Sequence, residues 1–164
     1  MDKLEYIPGD LVMTNGVPLG TAKDIVYRVT SSDPSKTLKL EDGTVLKGTV
    51  CLENIEGAEF GDKGYLLGDS CAWVKDIVPI PLTSKFLKKN RWNRKNEYEV
   101  FSKLIYGVTS DNRKTYKIIT IWLAIDNLNV WVVETGNEDI ADIMYVHQLQ
   151  NILFAMGLKS EMEV

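Results

Sequence analysis

Short apolar segments with a period of two run through the first eighty residues. Ile25, Tyr27 and Val29 occupy alternate positions, and so do Leu38 and Leu40. This is the period of a β-strand that buries one face and exposes the other. The pattern therefore predicts half-buried strands in this part of the chain.

Turn residues separate these strands at close intervals. Asn15-Gly16 and Asp42-Gly43 are strong hairpin signals, and the segment SSDPS at residues 31–35 has the composition of a turn. Roughly five short strands, closely spaced, are typical of a small antiparallel β-barrel, since closure removes exposed strand edges. We expect an SH3-like barrel over residues 1–80.

The chain changes character near Pro79 and Pro81, which end the last strand of the barrel. Thr83 or Ser84 can then cap a short helix that ends at Asn90. The boundary is short, so residues 81–164 are expected to form a second domain on which the barrel packs.

Residues 98–134 indicate an antiparallel sheet. One strand alternates through Leu104, Tyr106 and Val108, and residues 118–125 form an apolar run typical of a central strand. Turns are predicted at residues 110–114 and 126–129, and residues 135–139 break the last strand. The second domain is thus predicted as α+β: three or four strands, a short helix and a closing helix.

The closing helix is predicted over residues 144–156. Its apolar stripe is centred on Leu149, and Gly157 fits a left-handed cap. The opposite side carries polar and aromatic side chains, and the helix contains no charged residue. Such a face is unusual in free solvent, so we expect the barrel or a second subunit to cover it. The predicted interface residues are His147, Gln150, Asn151 and Phe154.

His147 is the single histidine of the chain, so its role has to be considered. As a general base it would need a nearby nucleophile or second titratable group, and no such motif is present. GxGxxG, GxxxxGK[ST], GxSxG and HExxH are also absent. We therefore predict no enzyme activity, no cofactor and no metal site. His147 is interpreted as a polar packing residue, with a catalytic base as the alternative.

The net charge of −4 conceals a segregation of charge along the chain. Residues 85–117 contain 10 basic and 3 acidic side chains, whereas the segments on either side are acidic. Six of the eleven residues at 85–95 are basic, and aromatic rings are interleaved. This composition is typical of a phosphate-contacting patch. The candidate contacts are Lys88, Lys89, Arg91, Trp92, Arg94 and Lys95.

That basic segment has a structural interpretation as well, because lysines are favoured at a helix C-terminus. The overall acidity argues against a dedicated nucleic-acid-binding domain. The patch would be extended by Lys103, Arg113, Lys114 and Lys117 if their strands lie beside it. Both interpretations remain open at this level.

Features of the composition suggest a cytoplasmic protein. No apolar run reaches the roughly 20 residues of a membrane helix, and the N-terminal stretch is acidic and polar. Cys51 and Cys71 could pair in an oxidising compartment. Without an indication of such a compartment, two buried free thiols are the favoured expectation.

Two segments carry a family resemblance: VPIPLTSKFLKKNRW at residues 78–92 and YVHQLQNILFAMG at residues 145–157. They resemble the two signatures of a family of small uncharacterised proteins from gut anaerobic bacteria and their phages and mobile elements. Members often have Asn-Gly-Phe after the first helix, where this chain has Asn90, Arg91 and Trp92. The resemblance implies a genetic setting and a fold rather than a reaction.

These observations lead to a functional hypothesis of a non-enzymatic binding protein from a phage or mobile element. Its partner would be a host or phage protein, or a small nucleotide ligand, and a second copy of the chain is a further candidate. Antagonism of host defence is the specific version. The alternative is an accessory protein that binds nucleic acid through residues 85–95.

Overall fold

The computed structural model describes residues 5–17, 19–68 and 70–164, so residues 1–4 of the polar N-terminal stretch lie outside the described residues. The chain divides into two compact units, Met1–Ile80 and Pro81–Val164. Each unit contains an antiparallel sheet, and two α-helices occur among the described residues. The predicted α+β class is confirmed. No helix within the described ranges is long and apolar enough to cross a membrane.

The first unit is a five-stranded antiparallel sheet in the order β4-β3-β2-β1-β5. A single turn of 3-10 helix, Val74–Asp76, joins its last two strands. The strands are β1 Leu11–Thr14, β2 Tyr27–Lys39, β3 Val45–Asn54, β4 Ser70–Trp73 and β5 Ile77–Pro79.

The core of the first unit lies under the first half of β2. Tyr27 and Val29 are buried, as their alternation predicts, and they pack with Val50 and Leu52 of β3. The second alternating pair does not follow the prediction, since Leu38 is 47% exposed and nearby Leu40 is 39% exposed. The second half of β2 has β3 as its paired strand, while β1 pairs only at the beginning of β2. Period-two alternation alone therefore wrongly predicted burial at the far end of the β2–β3 hairpin.

Turn predictions in the first unit had mixed outcomes. The turn at Asp42-Gly43 is confirmed, with the Leu40 N–H donating to the Thr44 carbonyl at 2.8 Å. Asn15-Gly16 does not close a tight hairpin, because β2 begins only at Tyr27. The segment at residues 31–35 is not a turn but lies inside β2, where the register with β3 shifts. A local irregularity of the strand explains its turn-like composition.

Cys51 and Cys71 form a disulfide, so the expectation of two free thiols is wrong. The two residues are direct partners in the β3–β4 register, with their Cα atoms 3.9 Å apart. They are separated by 20 positions in sequence, most of them in an irregular loop. The register that brings them together is a tertiary property that cysteine spacing does not reveal.

The second unit is a five-stranded antiparallel sheet in the order β10-β9-β8-β7-β6, with a helix before it and one after it. Its elements are α1 Ser84–Lys89, β6 Asn93–Arg94, β7 Val100–Val108, β8 Lys114–Leu123, β9 Trp131–Thr135, β10 Glu138–Ile143 and α2 Val146–Ala155.

The sheet is larger than predicted, because β6 and β10 were missed. Gly136 and Asn137 both have positive φ, at 60° and 67°, and form a two-residue hairpin between β9 and β10. Positive φ at both central positions is the requirement of the tight turns that suit twisted strands. The Gly-Asn pair was interpreted as the end of the sheet, although it is the signal that continues it.

The predicted caps at Thr83, Asn90 and Gly157 are confirmed, whereas α2 spans Val146–Ala155 and is shorter than the predicted 144–156. The Thr83 hydroxyl oxygen accepts a hydrogen bond from the Phe86 N–H at 3.2 Å, and Asn90 ends α1. Gly157 follows α2 with a φ of 69°, in the left-handed region. At the start of α2, the Gln148 side-chain oxygen accepts from the N–H groups of Met144 and Tyr145, at 2.8 and 3.1 Å.

The two faces of the second sheet differ in environment. Phe101, Ile119 and Val133 are completely buried on one face. The other face, which we call the outer face, carries five side chains that are 46–61% exposed: Leu104, Tyr106, Val108, Tyr116 and Ile118. The period predicted the strand correctly, but the alternating residues that drew attention to β7 are the ones that point to solvent.

Candidate functional site

A pocket of about 320 Å³ lies at the β7 edge of the second sheet. We call it the cationic pocket. It is lined by residues 89–92 at the end of α1, residues 103–106 of β7, Leu153 of α2, and Lys159 with residues 161–163 of the C-terminal tail. Three of these four segments, the end of α1, β7 and the tail, supply all but one of the lining residues.

Asn90 joins these parts. Its side-chain amide donates to the carbonyls of Phe86, at 3.1 Å, and Glu163, at 2.8 Å. Its side-chain oxygen accepts from the Glu163 N–H at 2.8 Å, and its backbone carbonyl accepts from Lys103 Nζ at 2.7 Å. This single buried side chain connects α1 to the tail, and its carbonyl connects both to β7.

The tail lies along the edge of β7. The Lys159 N–H donates to the Tyr106 carbonyl at 2.9 Å. At Gly107 an added Cβ would lie 1.8 Å from the Gly157 carbonyl oxygen, so this approach requires glycine. The tail thereby covers part of a strand edge and supplies one wall of the pocket.

Positive charge dominates the pocket lining, with four cationic side chains against two carboxylates. The cations are Lys89, Arg91, Lys103 and Lys159, and the carboxylates are Glu161 and Glu163. Lys159 forms an ion pair with Glu161 at 3.5 Å. Lys89 Nζ donates to the backbone oxygen of Val164. The three cations other than Lys159 come from two segments, the end of α1 and β7, and line the same space.

The pKa of Lys103 is lowered by its surroundings in the pocket. Burial lowers the pKa of its ammonium group, and the nearby charges of Arg91 and Lys159 lower it further, against the opposing effect of Glu163. Burial is the largest cause of the lowered pKa, and the smaller contribution of Arg91 and Lys159 shows that cations lie close to this ammonium group, where an added negative charge would be stabilising.

Arg91 adopts a backbone conformation that an arginine rarely has. Its φ is 61°, in the left-handed region, and it follows Asn90, the residue that caps the end of α1. Glycine is the usual residue at this position of a helix end, and a side chain there costs about 1 kcal/mol. The chain carries this local strain at a residue that lines the pocket, a combination that suggests a use for the guanidinium group.

Three of the six predicted phosphate-contacting residues line the pocket: Lys89, Arg91 and Trp92. Lys88 and Lys95 are exposed but are not among the lining residues. Lys103, expected to extend the patch, takes a central position. Lys159 and Asn90 were missed, although the isolated lysine in the acidic last segment was a usable signal.

Two of the predicted residues differ from expectation in their environment. Trp92 is only 4% exposed, so its ring is not a free platform for stacking bases. Arg94 bonds to the Glu97 carbonyl at 2.8 Å and to the Glu99 carboxylate at 3.0 Å. These contacts hold the turn before β7, which makes Arg94 a structural residue here.

The four predicted interface residues do not share one exposed face. His147 and Gln150 are buried within the chain itself, at 1% and 3% exposure, while Asn151 is half-buried and Phe154 is 63% exposed. The Gln150 amide donates to the Ser160 carbonyl at 3.3 Å. On the uncharged side of α2, the protein's own residues thus cover His147 and Gln150, whereas Phe154 is exposed.

His147 is placed as a packing residue. Its ring stacks on Tyr145 with 5.9 Å between centroids, and burial lowers its pKa from 6.5 to about 4. The imidazole is therefore neutral at physiological pH. Because it is sealed from solvent, it has no access to a substrate from which it could take a proton.

Searches for related proteins gave no lead: no family model, no curated protein and no solved structure matches the chain. Among the described residues there is also no group of three or more His, Cys, Asp or Glu side chains that could hold a metal ion. The geometry of the second unit is therefore the basis on which a function is proposed.

Proposed function

We propose that the protein is a non-enzymatic binding protein that holds a small nucleotide-class anion in the cationic pocket. The observation that carries the proposal is the convergence of Lys89, Arg91 and Lys103 on one pocket from α1 and β7. The cations of the pocket repel one another, and the two carboxylates of the lining, Glu161 and Glu163, offset only part of their charge. A phosphate group provides that charge together with several hydrogen-bond acceptors.

The chemistry of the walls favours a phosphate joined to a planar group. Arg91 can contact phosphate oxygens through two parallel N–H groups, whereas Lys103 acts as a point charge. Tyr106 lines the pocket and is 46% exposed. Lys159 Nζ lies 5.8 Å from the centroid of its ring and Tyr116 packs beside it, so a flat ligand would contact the part of the ring that these two residues leave exposed. The volume of about 320 Å³ is at the small end of ligand pockets, which suits one mononucleotide-sized molecule.

The arginine at position 91 differs from the residue often found there in the family that this chain resembles, and this difference supports a binding role for Arg91. Members of that family often have glycine after the first helix, where this chain has Arg91. The φ of 61° at this position is the conformation that glycine adopts without strain. Replacing a favourable glycine by arginine makes physical sense if the side chain contributes to binding.

The biological setting follows from the same resemblance. We place the protein in a phage or mobile element and its action in the host cytoplasm, where nucleotide signals of defence systems occur. Sequestering such a signal requires affinity and no catalysis. Capture of a host protein is the other form that this antagonism could take.

The first unit would be an SH3-like barrel that accompanies this binding domain. The support is topological: β4 and β5 are the two edges of the sheet, and only the three residues of Val74–Asp76 separate them. Three residues of 3-10 helix advance about 6 Å, so the two edges have to be close together. A sheet with adjoining edges is curled towards closure.

The test starts with protein purified from its host. Denaturing it and analysing the released small molecules by mass spectrometry should reveal a nucleotide or a related phosphate compound. Calorimetric titration of the ligand-free protein with mononucleotides, cyclic dinucleotides and inorganic phosphate then measures affinity. Lys103→Gln should weaken binding about tenfold or more, because it removes a charge-assisted contact.

Lys95→Gln is the matched control, since it removes the same charge from an exposed residue outside the pocket lining. It should leave the affinity within about twofold, apart from general screening effects. Equal losses in both variants would assign binding to diffuse charge. Absence of any released or titrating phosphate compound would contradict the proposal.

The nucleic-acid alternative is separated by the same variants. A labelled single strand that binds through residues 85–95 should lose affinity with Lys88→Glu and Lys95→Glu, with a steep dependence on salt. Binding in the cationic pocket should respond to Lys103→Gln instead. The burial of Trp92 removes the stacking contact that this alternative relied on.

A further inference from the structure

The outer face of the second sheet exposes five large apolar side chains on two neighbouring strands. Leu104 lies opposite Ile118, and Tyr106 lies opposite Tyr116, with 6.5 Å between the two ring centroids. Val108 continues the row on β7 and is 55% exposed. We call these five residues the apolar patch. Single exposed apolar side chains are normal on a protein surface, but five adjacent ones form a continuous surface that indicates a binding partner.

The patch is large enough to matter for association. Side chains of this size have areas of roughly 150–200 Å², so five of them at about half exposure present roughly 400–500 Å². That is within the range of the largest patch on a typical monomer, about 300–600 Å², and such patches are often functional. Two such faces in contact, with their polar surroundings, reach the lower range of specific protein interfaces, about 1,200 Å² in total.

Opposite charges lie at the two ends of this face. Lys114 is paired with Val108 at the hairpin end of β8 and points to the same side as the patch. Glu134 of β9 is paired with Thr120, and Asp139 of β10 is paired with Glu134, so both carboxylates point to that side at the other end. Along the strands this face is therefore basic at Lys114, apolar in the middle, and acidic at Glu134 and Asp139. Lys159 Nζ adds a second cation beside the patch, 5.8 Å from the centroid of the Tyr106 ring.

We propose that the outer face binds a second copy of this chain in a two-fold symmetric dimer. A two-fold axis in the plane of the interface and across the strands lets the patch meet itself. The same rotation brings Lys114 of one copy towards Glu134 and Asp139 of the other, and it does so twice. Self-complementarity of this kind is what an isologous interface requires.

The proposal does not rest on the proposed function, because Tyr116 and Ile118 are not among the residues that line the cationic pocket. Leu104 and Tyr106 belong to both surfaces and are therefore unsuitable as test positions. Ile118 is 60% exposed, so a polar substitution there is compatible with folding.

Sedimentation velocity of the full chain over a concentration series tests the dimer. The unmodified protein should shift from monomer to dimer with a micromolar dissociation constant, as expected for an interface of this size. Ile118→Asp should raise that constant about thirtyfold or more, since each dimer contains the substitution at its centre twice. Ile125→Asp is the matched control, because Ile125 is 90% exposed and lies outside the patch.

Charge exchange gives an independent measurement. Lys114→Glu should weaken the dimer, because it sets carboxylates of the two copies against each other. Lys114→Glu combined with Glu134→Lys should restore it, since the exchange preserves the pairing across the axis. A structural role of Lys114 within one copy would not produce this rescue.

Three results would overturn the proposal: a monomer at all concentrations, a dimer unaffected by Ile118→Asp, or failure of the charge exchange to restore association. Loss of single-strand oligonucleotide binding in Ile118→Asp, with the unmodified protein monomeric, would assign the face to nucleic acid instead. Binding of nucleotides to the cationic pocket should be retained in Ile118→Asp in every case.

Discussion

Asn90 and Glu163 are joined by a reciprocal pair of hydrogen bonds. The Asn90 amide donates to the Glu163 carbonyl, the Glu163 N–H donates to the Asn90 side-chain oxygen, and both distances are 2.8 Å. One side chain thus reproduces the pairing that a neighbouring strand would supply. It anchors the C-terminal tail to the end of α1, and the pocket wall formed by the tail depends on it.

Asn90→Ala should destabilise the second unit. The substitution removes three hydrogen bonds and leaves partly buried backbone groups of Phe86 and Glu163 without this partner. The expected loss is about 2–3 kcal/mol in the free energy of unfolding, measured by urea denaturation. Asn93→Ala, at an exposed position, should change it by less than about 0.5 kcal/mol. Limited proteolysis should cut the tail faster in Asn90→Ala alone.

Arg91→Gly should stabilise the protein while weakening ligand binding. Glycine relieves the left-handed strain at φ 61°, and the expected gain is up to about 1 kcal/mol, reduced by the greater freedom of glycine in the unfolded chain. Removing the guanidinium should lower affinity for the phosphate ligand. Arg91→Ala separates the two effects, since it loses the guanidinium but keeps the strain. An affinity unchanged in both variants would leave Arg91 without a role in binding.

Burial of His147 predicts a specific pH dependence of stability. Between pH 6.5 and about 4 the unfolded chain binds a proton that the folded protein does not, so stability falls as the pH is lowered through this window. The expected loss between pH 7 and 5 is about 2 kcal/mol in the free energy of unfolding. His147→Gln should flatten this dependence, whatever its absolute stability, because the chain has no other histidine. An unchanged slope would show that His147 titrates normally in the folded protein.

Reduction of the Cys51–Cys71 disulfide should destabilise the first unit. The bond closes a loop of 20 positions, for which the chain-entropy model gives at most about 3 kcal/mol. Calorimetry with and without reductant measures the difference. The double variant Cys51→Ala/Cys71→Ala should unfold at the temperature of the reduced protein and should not respond to reductant. Identical unfolding of the oxidised and reduced forms would indicate that the paired strands supply the constraint without the bond.

Local chemistry decided those parts of the fold that could be predicted from sequence. The Thr83 cap, the end of α1 at Asn90 and the left-handed Gly157 depend on side chains within a few positions of the backbone groups they serve. The turn at Asp42-Gly43 is of the same kind. β10 could have been predicted too, since the Gly136-Asn137 pair is a local signal that was interpreted as a break.

Candidate residues for the pocket were only partly accessible to sequence reasoning. The basic composition of residues 85–95 drew attention to Lys89 and Arg91, and both line the pocket. The same composition could not exclude Arg94, which is held by Glu99. Lys159 comes from a segment about 60 positions away, and its approach depends on the path of the tail beside β7.

The sequence by itself determined the local elements of this protein: strands from period-two alternation, helices from caps and apolar stripes, and turns from residues that tolerate positive φ. Only the tertiary structure decided which face of a strand meets solvent, which cysteines meet, and which cations surround a pocket. The physical reason is that these properties depend on strand register and on contacts between distant segments. Leu104 and Tyr106 illustrate this limit, because their alternation identifies a strand while the side chains packed on its other face determine which side is buried.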